Sequence, residues 1–172
     1  MHDFKEIDPA QISDNFIKAI GSDWMLITAG DHVEHNTMTA SWGGVGVMWN
    51  YPVAFVVIRP QRYTFEFTEK CDKLTLSFLS EEYRKALSYC GTHSGRDEDK
   101  ISNAGLSVAF TDEDTPAISQ ARLVLECRKL YTDDMRAENF IEKSIIEKWY
   151  PGEDYHKVYV LHIEHAYIKE LI

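Results

Sequence analysis

From Trp24 onward the chain is a succession of short runs rich in β-branched and aromatic residues. These are WMLITA (24–29), TMTASW (37–42), VAFVVI (53–58), KLTLSFL (73–79), ARLVLECRKLY (121–131) and KVYVLHIEHAYI (157–168). Parallel pairing needs a long crossover, usually a helix, between successive strands. The inserts here are too short for that, so six or more strands predict a mainly β, antiparallel barrel with short peripheral helices. An opening helix is expected from Asp8 as cap, Pro9 in the first turn, and Ile12, Phe16 and Ile20 spaced four apart, with Gly21 as its stop. Two further short helices are expected, one after Ser80 as far as Gly91 and one from near Asp97 to near Gly105. MRAENFI (135–141) suggests a third.

A length of 172 residues fits one domain spanning 1–172. The net charge of -10 argues against a nucleic-acid partner, which requires clustered Lys and Arg. No stretch approaches the roughly 20 apolar residues of a membrane span, and the start MHDFKEID carries no apolar signal segment, so a cytoplasmic protein with no membrane partner is expected. Cys71, Cys90 and Cys127 are odd in number and lack CxxC spacing, which predicts reduced and mostly buried thiols.

Three segments carry candidate chemistry. NTMTASWGGVGVMWNYP (36–52) sets small and hydroxyl residues on a strand followed by three glycines. Thr39, Ala40, Ser41 and Gly43 permit a flat ligand to approach the backbone, whose N–H and C=O groups can meet the polar edge of a ring. The same segment also fits a twisted strand with a glycine bulge, Trp42 and Trp49 being core residues. IRPQRYT (58–64) offers Arg59 and Arg62 as paired donors to phosphate oxygens, with Thr64 opening a helical turn whose free N–H groups favour an anion. A solvated arginine pair at a strand end is the alternative. GTHSGRDEDK (91–100) repeats this vocabulary in Ser94, Gly95, Arg96 and Lys100, or is a surface loop before a capped helix. Residues 59–100 balance eight basic against eight acidic residues, so the whole excess of negative charge lies outside them. A local anion site is consistent with that distribution.

Other constellations point elsewhere or nowhere. His32 and His35, and the trio His156, His162 and His165, make no convincing metal pattern, since alternation sends His162 and His165 to opposite faces of a regular strand. No metal is expected. The strand-to-helix Gly-x-Ser-x-Gly setting of a nucleophilic hydrolase is absent. Trp149, Tyr150 and Pro151 suit either a cover over a planar ligand or core packing.

In this order and spacing, NTMTASWGG (36–44), IRPQRYT (58–64) and SGRDEDK (94–100) resemble the flavin reductase-like family of FMN-binding split barrels, particularly its flavoredoxin-type members. LVLECR (123–128) and HKVYVLHIEHAYI (156–168) support the match, which runs from about residue 23 to 168. The resemblance implies a split β-barrel, a homodimer, and noncovalent FMN near the subunit interface. It implies that Met38, Thr39, Ala40, Ser41 and Trp42 border the isoalloxazine ring. Arg59, Arg62, Tyr63 and Thr64 then approach the phosphate and ribityl end, with Ser94, Gly95, Arg96 and Lys100 completing that polar side. No catalytic side chain is assigned, because the flavin carries the chemistry.

The leading expectation is an NAD(P)H-dependent oxidoreductase that passes hydride to flavin and then electrons to free flavin or a partner protein. The chain lacks a GxGxxG fingerprint, so a nicotinamide would dock over the flavin itself. A flavoredoxin-type electron carrier serving protein partners is the alternative, and a flavin-binding module without turnover is a third.

Overall fold

The computed structural model describes residue 1 and residues 3–170. Its opening differs from the expected helix. Phe4–Ile7 form strand β1, and Asp8 then caps only a single 3-10 turn, Pro9–Gln11, its carboxylate accepting from Ala10 N at 2.8 Å. Extended backbone at Ile12 ends that turn, and the true helix α1 (Phe16–Gly21) has its own cap in Asn15. Ile12, Phe16 and Ile20 still pack on one interior cluster. Their spacing records common burial, achieved by a turn and a helix in succession.

The remaining elements follow as β2 (Met25–Gly30), β3 (His35–Ala40), β4 (Gly43–Met48), β5 (Tyr51–Ile58), α2 (Tyr63–Lys70), β6 (Lys73–Phe78), α3 (Arg84–Thr92), α4 (Lys100–Asn103), β7 (Val108–Phe110), β8 (Pro116–Ile118), β9 (Leu123–Asp134), α5 (Ser144–Trp149) and β10 (Lys157–Lys169). The hydrogen-bonded order is β3-β2-β6-β9-β10-β5-β4, with β1 on β10 and β7–β8 as a separate hairpin. Every pairing is antiparallel. The six expected strands are therefore present, in a split-barrel arrangement whose ladder is open between β3 and β4.

Alternation sorts the side chains into two layers. Met25, Ile27, Val56, Ile58, Leu74, Leu76, Leu123, Leu125, Leu161 and Ile163 fill the interior. Leu26 and Val124, on the opposite face, meet Leu87, Cys90, Ile101 and Ile118 from α3, α4 and β8. A buried carboxylate, Glu126, fastens the β7–β8 turn to the sheet by accepting from the hydroxyls of Thr111 (2.8 Å) and Thr115 (2.5 Å), with Tyr167 OH at 3.3 Å.

The glycine run forms β4, a separate strand where the alternative reading of this segment expected a glycine bulge in one twisted strand. Gly43 has φ +146, and a Cβ there would lie 2.5 Å from Phe55 O, while Gly44 is covered by the Phe55 ring from the paired strand. Sheet packing takes up the room these glycines leave. Trp49 (φ 53) and Asn50 (φ 62) make the two-residue turn into β5.

The expected helix after Ser80 begins as a 3-10 turn (Glu81–Tyr83), and α3 runs one residue past Gly91. Asp99 caps α4, and Gly105 follows with φ +73. MRAENFI contains only the 3-10 turn Ala137–Asn139, ahead of α5. Cys71, Cys90 and Cys127 are unpaired, the last two buried. Among the described residues, no helix is long and apolar enough to cross a membrane.

Candidate functional site

An open cleft of about 230 Å³ lies where β3 runs out, bordered by Met38, Thr39, Ala40, Ser41, Trp42, Val57, Arg59, Arg62, Trp149 and His156. β3 has one ladder partner, β2, which leaves the backbone groups of its other edge without a strand. Met38 and Ala40 point into the interior cluster, and Thr39 donates its hydroxyl to Leu87 O on α3. The side chains of this strand are thus largely committed to packing, and its backbone edge is the part left for a ligand.

The strand β5 ends at Ile58, and the following turn is closed by Arg62 N donating to Arg59 O at 3.0 Å. Arg62 stands at the start of α2, and burial lowers the pKa of its guanidinium. Among the described residues it has no carboxylate partner. Thr64 is buried in the first turn of α2 and accepts from Asn36 Nδ2 at 2.8 Å. Lys100 is only 3 % exposed and donates to Cys90 O (3.2 Å) and His93 O (3.1 Å). Burial, and then the charge of Arg62, push its pKa down to about 8. The Arg62 charge is thus felt at Lys100, where Glu98 partly offsets it, and among the described residues neither cation forms an ion pair with a carboxylate.

The other two predicted cations are already engaged. Arg59 pairs with the carboxylate of Asp154 and donates to Trp149 O at 2.8 Å. Arg96 pairs with Glu66, donates to Gln61 O at 3.1 Å, and lies over the Tyr63 ring at 4.8 Å. Ser94 Oγ accepts from Arg96 N at 3.2 Å. Gly95 is pressed against Asn36 and Tyr63, so that a Cβ would stand 3.0 Å from Asn36 Cγ and 3.2 Å from Tyr63 Cδ1. Asn36, Tyr63, Gly95, Arg96 and Lys100 border a second concavity of about 480 Å³, whose rim carries Asp97, Glu98 and Asp99.

The structure thus gathers Met38 to Trp42, Arg59 and Arg62 around one cleft, and Tyr63, Gly95, Arg96 and Lys100 around the second concavity. Thr64 and Ser94 support them through hydrogen bonds. Sequence reasoning missed Asn36, which is buried and links β3 to α2, and Val57 on the cleft wall. His156 is satisfied, as expected for these histidines, since its Nδ1 lies 2.7 Å from Tyr150 OH. Burial, and then the charge of Arg59, push its pKa down to about 4, so the ring lining the cleft is neutral at pH 7. Trp42 meets Trp149 edge-on, with centroids 5.0 Å apart, and Tyr150 is buried in the core.

His35 borders the second concavity, whereas His162 and His165 lie elsewhere. A register shift between Ile163 and His165 breaks the alternation assumed for β10. His165 contacts Glu6 and Glu113, while His162 packs on Tyr51 at 4.5 Å. Among the described residues no group of three or more His, Cys, Asp or Glu is placed to hold a metal ion.

Comparison with known proteins agrees with this architecture. The flavin reductase like domain matches residues 17–170. No curated protein matches the chain. Among solved structures, flavoredoxin from Methanosarcina acetivorans is 24% identical with a TM-score of 0.68, the match covering 87% of this chain and 71% of that one. An FMN-binding domain of a flavin reductases-like enzyme from Shewanella baltica OS155 is 16% identical with a TM-score of 0.70, covering 96% and 77%. An NADH:FAD oxidoreductase of Streptomyces globisporus C-1027, in complex with NAD and FAD fragments, is 17% identical with a TM-score of 0.63, covering 84% and 73%. At these identities the likeness establishes the common fold. By its domain match, the chain belongs to the flavin reductase-like domain family.

Proposed function

We propose that the chain binds FMN noncovalently in the cleft beside β3, and that the flavin, when bound, supplies acceptance of hydride from NADH or NADPH and delivery of electrons to free flavin or a partner protein. One observation carries this reading: Arg62, half-buried and without a carboxylate partner among the described residues, borders the cleft beside a strand edge that has no ladder partner, and its charge reaches buried Lys100. An anion beside half-buried Arg62 and buried Lys100 relieves their repulsion and the desolvation of each. A phosphate ester supplies that anion, and Arg62 offers it paired donors. Lys100 keeps one N–H beyond the two that its carbonyl partners accept. The backbone of residues 39–42 is suited to the hydrogen-bonding edge of a flat heterocycle, while Trp42, Trp149 and neutral His156 limit water at the cleft.

A homodimer belongs to the same proposal. The cleft is smaller and more open than the roughly 300–1,000 Å³ of most enclosed ligand sites. A second subunit covering it would complete the enclosure. Val47, Trp49, Phe55 and Tyr131 expose apolar side chains on the β4–β5 hairpin and β9, as an interface requires. Three unpaired cysteines suit the reducing cytoplasm.

The test is anaerobic titration of the FMN-loaded protein with NADH and with NADPH. Bleaching of flavin absorbance by either donor is the expected result. FMN that binds but stays oxidised under excess of both would overturn hydride transfer and leave the electron-carrier reading, which the likeness to flavoredoxin favours. Failure to bind FMN would overturn both.

A further inference from the structure

The segment from Trp149 to His156 connects α5 to β10 and is anchored by burial at Tyr150 and His156, while the rest of it is more open. Trp149 is 43 % exposed, Pro151, Gly152 and Glu153 are exposed, and α5 contributes no buried residue. Trp149 and Asp154, outside those two anchors, are gripped by one side chain from the end of β5. Arg59 pairs with the Asp154 carboxylate, reaches Asp154 O at 3.3 Å and Trp149 O at 2.8 Å, and lies 5.0 Å over the Tyr150 ring. Gln61 Nε2 adds a bond to the same carboxylate at 2.7 Å. The grip thus closes both ends of the segment onto the turn that also carries Arg62.

We propose that Arg59 is a positioning residue for the flavin site, which sets Trp149 against Trp42 as one wall of the cleft, and that it is not a phosphate ligand. This rests on the flavin-binding reading above. The guanidinium cannot keep its contacts with Asp154 and Trp149 O while turning its fork to a phosphate. The edge-to-face tryptophan pair it supports stands directly on the cleft, where it fixes the width open to a planar ring.

The two roles make opposite predictions for Asp154. If Arg59 bound phosphate, Asp154→Ala would free it and tighten FMN, while Arg59→Ala would weaken FMN and spare riboflavin. As a positioning residue, Arg59→Ala and Asp154→Ala both weaken FMN and riboflavin by one common factor, on the order of three- to tenfold, and the double variant is no worse than either single. A readout free of flavin accompanies this: the near-ultraviolet circular dichroism of the apo protein. The signal of the Trp42–Trp149 pair, identified by its loss in Trp149→Phe, should vanish in Arg59→Ala and Asp154→Ala and persist in Arg62→Ala. Asp154 lies on the surface segment, so its variant decides the matter even if Arg59→Ala does not fold. An unchanged tryptophan signal in Asp154→Ala, or an FMN-selective loss in Arg59→Ala, would overturn the inference while leaving the flavin site intact. Wild-type protein that binds neither flavin would overturn the site and the inference together.

Discussion

Raising the pH from 7 to 9 should weaken FMN about tenfold relative to riboflavin, because Lys100 must be charged to hold the phosphate. The magnitude follows from its surroundings. The ammonium is buried with two carbonyl acceptors and Arg62 nearby, and its pKa falls from 10.5 to about 8. In the free protein Lys100 therefore loses its proton as the pH passes through about 8. A phosphate dianion beside it restores the charge, so above that pH binding takes up close to one proton and affinity falls by about a factor of ten per unit. A lysine of ordinary pKa would leave affinity nearly constant over this range. A phosphate monoester has its second pKa near 6, so its charge does not change between pH 7 and 9. The ring is common to both ligands, and its own ionisation cancels in their ratio. The assay is fluorescence titration of apo protein with FMN and with riboflavin across this range. Lys100→Met should bind FMN more weakly at pH 7 and abolish the slope. A flat wild-type ratio, or a slope that survives in Lys100→Met, would refute the argument.

Other outcomes follow from individual contacts. His156 titrates at about 4 when folded, against an ordinary 6.5, so the unfolded chain takes up its proton first and stability falls as the pH drops from 6.5 towards 4. Between pH 7 and 5 the difference in urea unfolding free energy between wild type and His156→Gln should change by about 2 kcal/mol, and a constant difference would contradict the assignment. Gly95→Ala drives a methyl group into Asn36 and should break its bond to Thr64, lowering stability by about 1 kcal/mol together with FMN affinity. Unaltered FMN binding in that variant would remove the Gly95 loop from the site. Glu126→Gln replaces an acceptor of three hydroxyls by an amide and should destabilise by about 1–3 kcal/mol, with faster hydrogen exchange confined to the 111–115 turn. Global acceleration of exchange without local loosening would contradict the anchoring role.

The parts of the fold legible in the sequence were those governed by local pattern. Strands such as LTLSF and VAFVVI declare themselves because alternate residues face the interior, and the polar run from Asp97 with Gly105 beyond it marks a short helix, whose cap the structure places at Asp99. What escaped depends on partners distant in the chain. β1 is a strand because the end of β10 offers it an edge, and GGVGVM is a strand because Phe55 covers Gly44 from across the ladder. The site divides in the same way. Residue type identified every candidate cation, yet Asp154 lies 95 residues from Arg59 and Glu66 lies 30 from Arg96, so composition could not tell engaged guanidinium groups from the unengaged Arg62. Asn36 gave no signal of its own, since a polar residue at the start of a strand is ordinarily exposed, and here α2 and Gly95 bury it.

The central claim is that the cleft beside β3 holds a flavin whose phosphate lies between Arg62 and Lys100. A crystal structure of the protein grown with FMN tests it most directly. Phosphate oxygens should lie within hydrogen-bond distance of both side chains, with the ring along the backbone of residues 39–42. A flavin seated elsewhere, or a phosphate held by Arg59 with Asp154 displaced, would contradict it.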